Sequence, residues 1–165
     1  MWARRAADWI VPAENPAGVV YGIIAIGALM AAESGRRESY PHAVGSAIIA
    51  AGLYWLLHAY SSVLGRRLAT GGRLTAGALS RALVHDWAIV RGAALPLSAL
   101  LFAWATGAGR ETAVSAALWS AVVSLVAFEL VAAIRSRASA VELALDVSVG
   151  LMMGVAILGL KVLLH

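Results

Sequence analysis

Five apolar stretches, each about as long as a bilayer's hydrocarbon core is thick, run through this chain, and short connectors hold most of its charge. Apolar residues make up 61% of the sequence and charged residues 13%. Soluble domains carry about 25% charged residues, so a water-soluble fold would have too little polar surface here. The expected fold class is therefore all-α: a polytopic transmembrane helix bundle of about five spans, with the lipid bilayer as its principal partner. At 165 residues there is room for one integral membrane domain, 1–165, and for no separate soluble domain of appreciable size.

Breakers and periodicity place the spans at about 17–33, 43–65, 87–106, 112–134 and 141–164. Asn15 followed by Pro16 reads as an N-cap and first-turn proline. Gly65 with Arg66 and Arg67 is expected to close the second span, and Pro96 to kink the third. Ser139-x-x-Glu142 is a capping-box pattern at the start of the fifth. Between spans two and three, residues 71–85 set Arg73, Ser80 and Arg81 opposite Leu74, Ala78, Leu79, Ala82 and Leu83. That division suggests a helix lying in the membrane interface. Asp8 and Glu14 ahead of the first apolar run argue against a cleavable leader.

Lysine and arginine are retained on the cytoplasmic side of membranes. Of the 13 Lys and Arg residues, nine fall on the side of the N-terminus, the second-to-third connector and the fourth-to-fifth connector. The predicted location is the cell membrane, multi-pass, with the N-terminus cytoplasmic and the C-terminus outside. This asymmetry also accounts for the net charge of +4, and no nucleic-acid partner is expected.

Ionisable residues inside the spans are costly and need a reason to be there. At about 1.5 Å rise per residue, Glu129, Asp146 and His58 lie about 9, 10 and 12 Å in from the inner connectors, with Arg91 at about 6 Å. Tyr54 is one turn from His58 on the same face. His58, Glu129, Asp146, Arg91 and Tyr54 are thus the candidates for a proton relay or cation site in the inner third of the bilayer. On this reading the chain is a small channel or transporter subunit for protons or small cations. The alternative is a non-transporting scaffold or accessory protein whose polar residues only hold helices together, for example through pairing of Arg91 with Glu129 or Asp146. Asp146, Gly150 and Gly154 share one stripe, on which the two glycines suit close helix packing or a dimer seam. Self-association into a homo-oligomer is expected, because five short spans leave polar groups that a lone bundle does not fully cover. Lys161 is expected to extend to the outer interface.

The chain has no cysteine, HExxH, GxSxG or Walker loop, so enzymatic activity is not expected. No His-x3-His or Glu-x-x-His pair sits within one helix, and neither a metal nor a cofactor is expected. Ser115, Ser120 and Ser124 lie in apolar helical context and are expected to make interhelical hydrogen bonds.

Four strings carry a resemblance: Tyr21-Gly22, Trp55-Leu-Leu-His58-Ala-Tyr60, His85-Asp86-Trp87-Ala-Ile-Val-Arg91, and the ending Leu160-Lys161-Val-Leu-Leu-His165. Together they resemble a family of small integral membrane proteins of actinobacterial type. The resemblance implies a class and brings no activity with it. It implies that His58 and the His85-Asp86-Trp87 segment recur in the family. Ala88 and Arg91 stand where it would place a proline and an acid.

Overall fold

The computed structural model describes residues 15–33, 39–71, 73–136 and 139–163. They form six helices: α1 (Pro16–Glu33), α2 (Tyr40–Thr70), α3 (Ala76–His85), α4 (Trp87–Ala105), α5 (Arg110–Ser136) and α6 (Ala140–Leu163). There is no strand among the described residues. Five helical stretches are long and apolar enough to cross a membrane, with α3 and α4 together counting as one, so the chain has the build of a multi-pass membrane protein.

Helix α1 is the axis of the bundle and packs against α2, α4, α5 and α6. Half of its residues are buried, against three of the 24 in α6. Its contact with α4 is the most extensive, and the reason is steric. A Cβ built on Gly22 would fall 1.9 Å from the Ile89 carbonyl oxygen, and one on Gly92 would fall 2.0 Å from that of Val19. Two backbones can approach this closely only where neither helix carries a side chain at the crossing. Farther along α1, Gly27 faces Ala121 of α5 and Ile157 of α6. The outer faces are apolar too: Ile48, Ile49, Leu53 and Leu57 on α2, and Leu145, Met152 and Val155 on α6, are exposed. Apolar side chains spread this widely over the outside suit a hydrocarbon solvent and not water.

Helix α2 departs from its predicted limits. It runs through Gly65 and stops at Gly71, which adopts φ 68° and donates its amide to the Arg67 carbonyl at 2.9 Å. A glycine in a helix costs only about 1 kcal/mol, and the good helix formers after Gly65 outweigh it. The helix is therefore 31 residues long. Helix α4 runs on through Pro96, which is buried.

Helix α3 forms within the segment predicted to be interfacial, but its apolar face is already covered. Ala82, with Ala78, Leu79 and Leu83 beside it, packs on Ala59 and Val63 of α2. Only Asp86 separates α3 from α4, and its amide still bonds the Ala82 carbonyl at 2.8 Å, so the chain turns there with little loss of helical bonding. Trp55 fastens the junction to α2, donating Nε1–H to the Leu83 carbonyl at 2.9 Å and meeting Trp87 edge-on at 5.2 Å.

Local signals fared well. The Asn15 side chain accepts the Gly18 amide at 2.9 Å, as an N-cap should. At the start of α6 the Ser139 amide donates to Glu142 Oε2 at 2.7 Å, and the Glu142 amide donates back to Ser139 Oγ at 3.3 Å. Ser139→Ala is expected to cost about 1 kcal/mol through loss of this cap, read as a small drop in the thermal midpoint of the detergent-solubilised protein. No change would place the start of α6 elsewhere.

Candidate functional site

Three places hold most of the ionisable residues of the described helices. The first is the α5–α6 seam. Asp146, Gly150 and Gly154 share one stripe of α6, and both glycines are buried against α5 of the same chain. A Cβ on Gly150 would meet Glu129 Cγ at 3.0 Å, and one on Gly154 would meet Val122 Cγ1 at 2.8 Å. Their role here is packing within one molecule. The missing side chain at Gly150 leaves room for Glu129 against α6, and Asp146 stands one helical turn before Gly150 on the same stripe. Neither acid has a hydrogen bond or a cationic partner among the described residues, and both are half-buried.

The second place is a cleft of about 760 Å³ at the end of the bundle where α1 begins. One wall is a stripe of α2, His58, Ser62 and Arg66, spaced four residues apart. Arg81 and His85 of α3 form the opposite wall, and Asn15 and Tyr21 of α1 close the third side. Asp86 lies at its base with only 3% of its surface exposed. Its Oδ1 accepts from the Asn15 amide nitrogen at 3.0 Å and lies 3.0 Å from His85 Nδ1. Asn15 also donates to the His85 carbonyl at 3.2 Å, so one side chain caps α1 and ties it to the α3–α4 junction. Asp86 Oδ2 is buried with no hydrogen-bond partner among the described residues.

The structure thus places Glu129 and Asp146 on one seam and His58 elsewhere. His58 faces Tyr21, with ring centroids 5.4 Å apart, and Tyr54, at 6.3 Å. Its helix, α2, packs on α1, α3 and α4, and has no comparable contact with α5 or α6. Similar depth along five helices does not imply a shared azimuth, and α1 stands between the two groups. Arg91 is half-buried on α4 and pairs with neither acid among the described residues. Three of the strings singled out in the sequence, around Tyr21, His58 and Asp86, meet at the cleft.

The third place, at the far end of α1, was not anticipated. Glu33 is buried, accepts from Ser46 Oγ at 2.7 Å, and offers its main-chain carbonyl to Arg110 at 2.9 Å. Nearby, the Tyr40 hydroxyl donates to the Ala108 carbonyl, and its ring stacks on Trp104 at 5.9 Å. Lys161 turns inward instead of reaching outward, donating to Ser115 Oγ at 3.1 Å. Ser120 reaches the Leu95 carbonyl of α4 at 3.5 Å. No interhelical hydrogen bond from Ser124 is found among the described residues. No three His, Asp or Glu side chains converge on a metal-sized site among the described residues.

Glu33, Asp86 and Asn15 sit at helix ends, where a polar residue reads as a cap or a boundary. The sequence signal for Asp86 is its position in a run that is otherwise helical on both sides. Compared with known protein families, curated proteins and solved structures, the chain matches none, so its sites are read from its own residues.

Proposed function

We propose that the protein moves protons or small cations across the membrane, with Glu129 and Asp146 as the exchange site. One observation carries this reading: two carboxylates share the α5–α6 seam, Glu129 against Gly150 and Asp146 one turn before it, without a cationic side chain bonded to either among the described residues. Negative charges without a cationic partner on one seam in a poorly polar medium are costly, and a bound proton or small cation relieves that cost. Acids placed so within a membrane span are the usual carriers of proton and cation movement. The glycine stripe gives the site its form, because Gly150 leaves the space that Glu129 occupies.

The separation of His58 from this pair narrows the proposal to the two acids and removes the imidazole from the exchange step. The same separation favours the alternative, a non-transporting scaffold whose polar groups serve individual helix contacts. Purified protein reconstituted in liposomes distinguishes them. A pH- or cation-gradient-driven flux is expected, falling at least about tenfold in Glu129→Gln and Asp146→Asn while both variants elute as folded protein. Flux equal to that of empty vesicles for protons and for the common monovalent cations sinks the transport reading and leaves the scaffold.

A further inference from the structure

We propose that the cleft between α1, α2 and α3 binds a zwitterionic ligand that presents an ammonium group to Asp86 and a phosphate to Arg66 and Arg81, the chemistry of a phosphoethanolamine headgroup. The site is separate from the Glu129–Asp146 pair and does not depend on the transport reading.

The argument starts from Asp86. A buried carboxylate oxygen without a partner has given up its hydration for nothing, and such groups persist in folded proteins when something else satisfies them. Asp86 Oδ1 is fully engaged by Asn15 and His85, whereas Oδ2 is not engaged at all among the described residues. An ammonium donates up to three hydrogen bonds and carries the complementary charge. The opposite polarity lines the two facing helices. Arg66 and Arg81 are exposed, line the same cleft, and have no acidic partner among the described residues. Arg81 spends only its Nε–H, on the Gly77 carbonyl at 3.1 Å, which leaves its terminal nitrogens for an anion. Ser62, between His58 and Arg66 on the same stripe, donates its hydroxyl to the Ala59 carbonyl at 2.9 Å and turns only acceptor lone pairs to the cleft, so the anion-binding donors are the two guanidinium groups.

A simple anion would leave Asp86 unsatisfied and would be repelled by it. A simple cation would meet two guanidinium groups at the mouth. A ligand with both charges answers both ends. The volume, about 760 Å³, lies within the roughly 300–1,000 Å³ typical of small-molecule sites. The cleft lies where α1 and α4 begin and the long helix α2 runs past them, the level at which basic pockets between membrane helices meet lipid headgroups.

The test uses the full-length protein, stripped of lipid in detergent and examined by native mass spectrometry with phosphatidylethanolamine, phosphatidylglycerol and phosphatidylcholine offered at equal concentration. Phosphatidylethanolamine should be retained about tenfold more than the other two, because phosphatidylglycerol lacks the ammonium and phosphatidylcholine has no N–H to donate. Arg66→Gln with Arg81→Gln should abolish the preference, and since both residues are exposed this variant should fold. Asp86→Asn should remove the discrimination against phosphatidylcholine. Free O-phosphoethanolamine, added at millimolar concentration in a thermal-shift arm, separates the two sources of this chemistry. Stabilisation by the free compound assigns a soluble ligand, and retention of the lipid alone assigns the headgroup. Equal retention of all three lipids, preference for phosphatidylglycerol, or an undiminished preference in the double arginine variant overturns the proposal.

Discussion

Gly92→Ala is expected to destabilise the protein by about 3 kcal/mol, and Gly22→Ala by a similar amount, even though each change adds a single methyl group. The new Cβ would lie 2.0 Å from the Val19 carbonyl oxygen in the first case and 1.9 Å from that of Ile89 in the second. Both obstacles are main-chain atoms, so no rotamer change relieves the clash and α1 must move away from α4. Helix α1 also contacts α2, α5 and α6, so displacing it disturbs its seams with all four of these helices. At about 2–4 °C per kcal/mol for a chain of this size, the thermal midpoint in detergent should fall by about 6–12 °C. Gly45 and Gly52 of α2 supply the control, because a Cβ on either meets nothing within 4 Å. Alanine there should stabilise by about 0.5–1 kcal/mol through lower entropy of the unfolded chain. If Gly92→Ala and Gly52→Ala behave alike, the close crossing of α1 and α4 is wrong.

Asn15→Ala is expected to cost about 2–3 kcal/mol, the second-largest effect. Loss of the N-cap of α1 accounts for about 1 kcal/mol, and the rest comes from leaving Asp86 Oδ1, a buried acceptor, with one partner fewer. Asn15→Asp separates the two contributions. Aspartate caps a helix as well as asparagine does, but here it would set a second carboxylate about 3.0 Å from Asp86. It should therefore destabilise about as much as alanine, and Asp86→Asn in the same chain should restore most of the loss. A double-mutant cycle on thermal stability reads this coupling directly. Additive single effects would mean that Asn15 acts only as a cap and that the tie between α1 and the α3–α4 junction contributes nothing.

These two predictions rest on features of different legibility. The cap at Asn15 and Pro16 is readable from the sequence because capping is chemistry between residues three apart, and the same holds for Ser139 and Glu142. The bond from Asn15 to Asp86 joins residues 71 positions apart, and nothing in either neighbourhood announces it. Glycines show the same contrast. Gly150 and Gly154 stand out as a motif, and they do pack closely, but the tightest approach belongs to Gly22 and Gly92, which sit on different helices and form no motif in either. Gly65 reads as a helix end in the sequence, but the end is Gly71, since a helix stops where the backbone can turn left-handed and bond its last carbonyls.

The candidate site divides along the same line. Depth in the membrane follows from counting residues at a fixed rise, and on that basis His58, Glu129 and Asp146 occupy one layer. Whether residues in a layer meet depends on helix order and rotation, and here α1 stands between His58 and the acids. The sequence by itself determined the helical class, the five apolar stretches able to span a membrane, and the local caps, because hydropathy and neighbouring-residue bonds decide them. Tertiary structure alone decided that α1 is central, that Glu129 lies against Gly150 on the seam that also carries Asp146, and that His58 opens onto a cleft with Asp86. Helices that are apolar on every side carry no sequence mark of which face turns inward, and in such a bundle shape at the glycine crossings selects the neighbours.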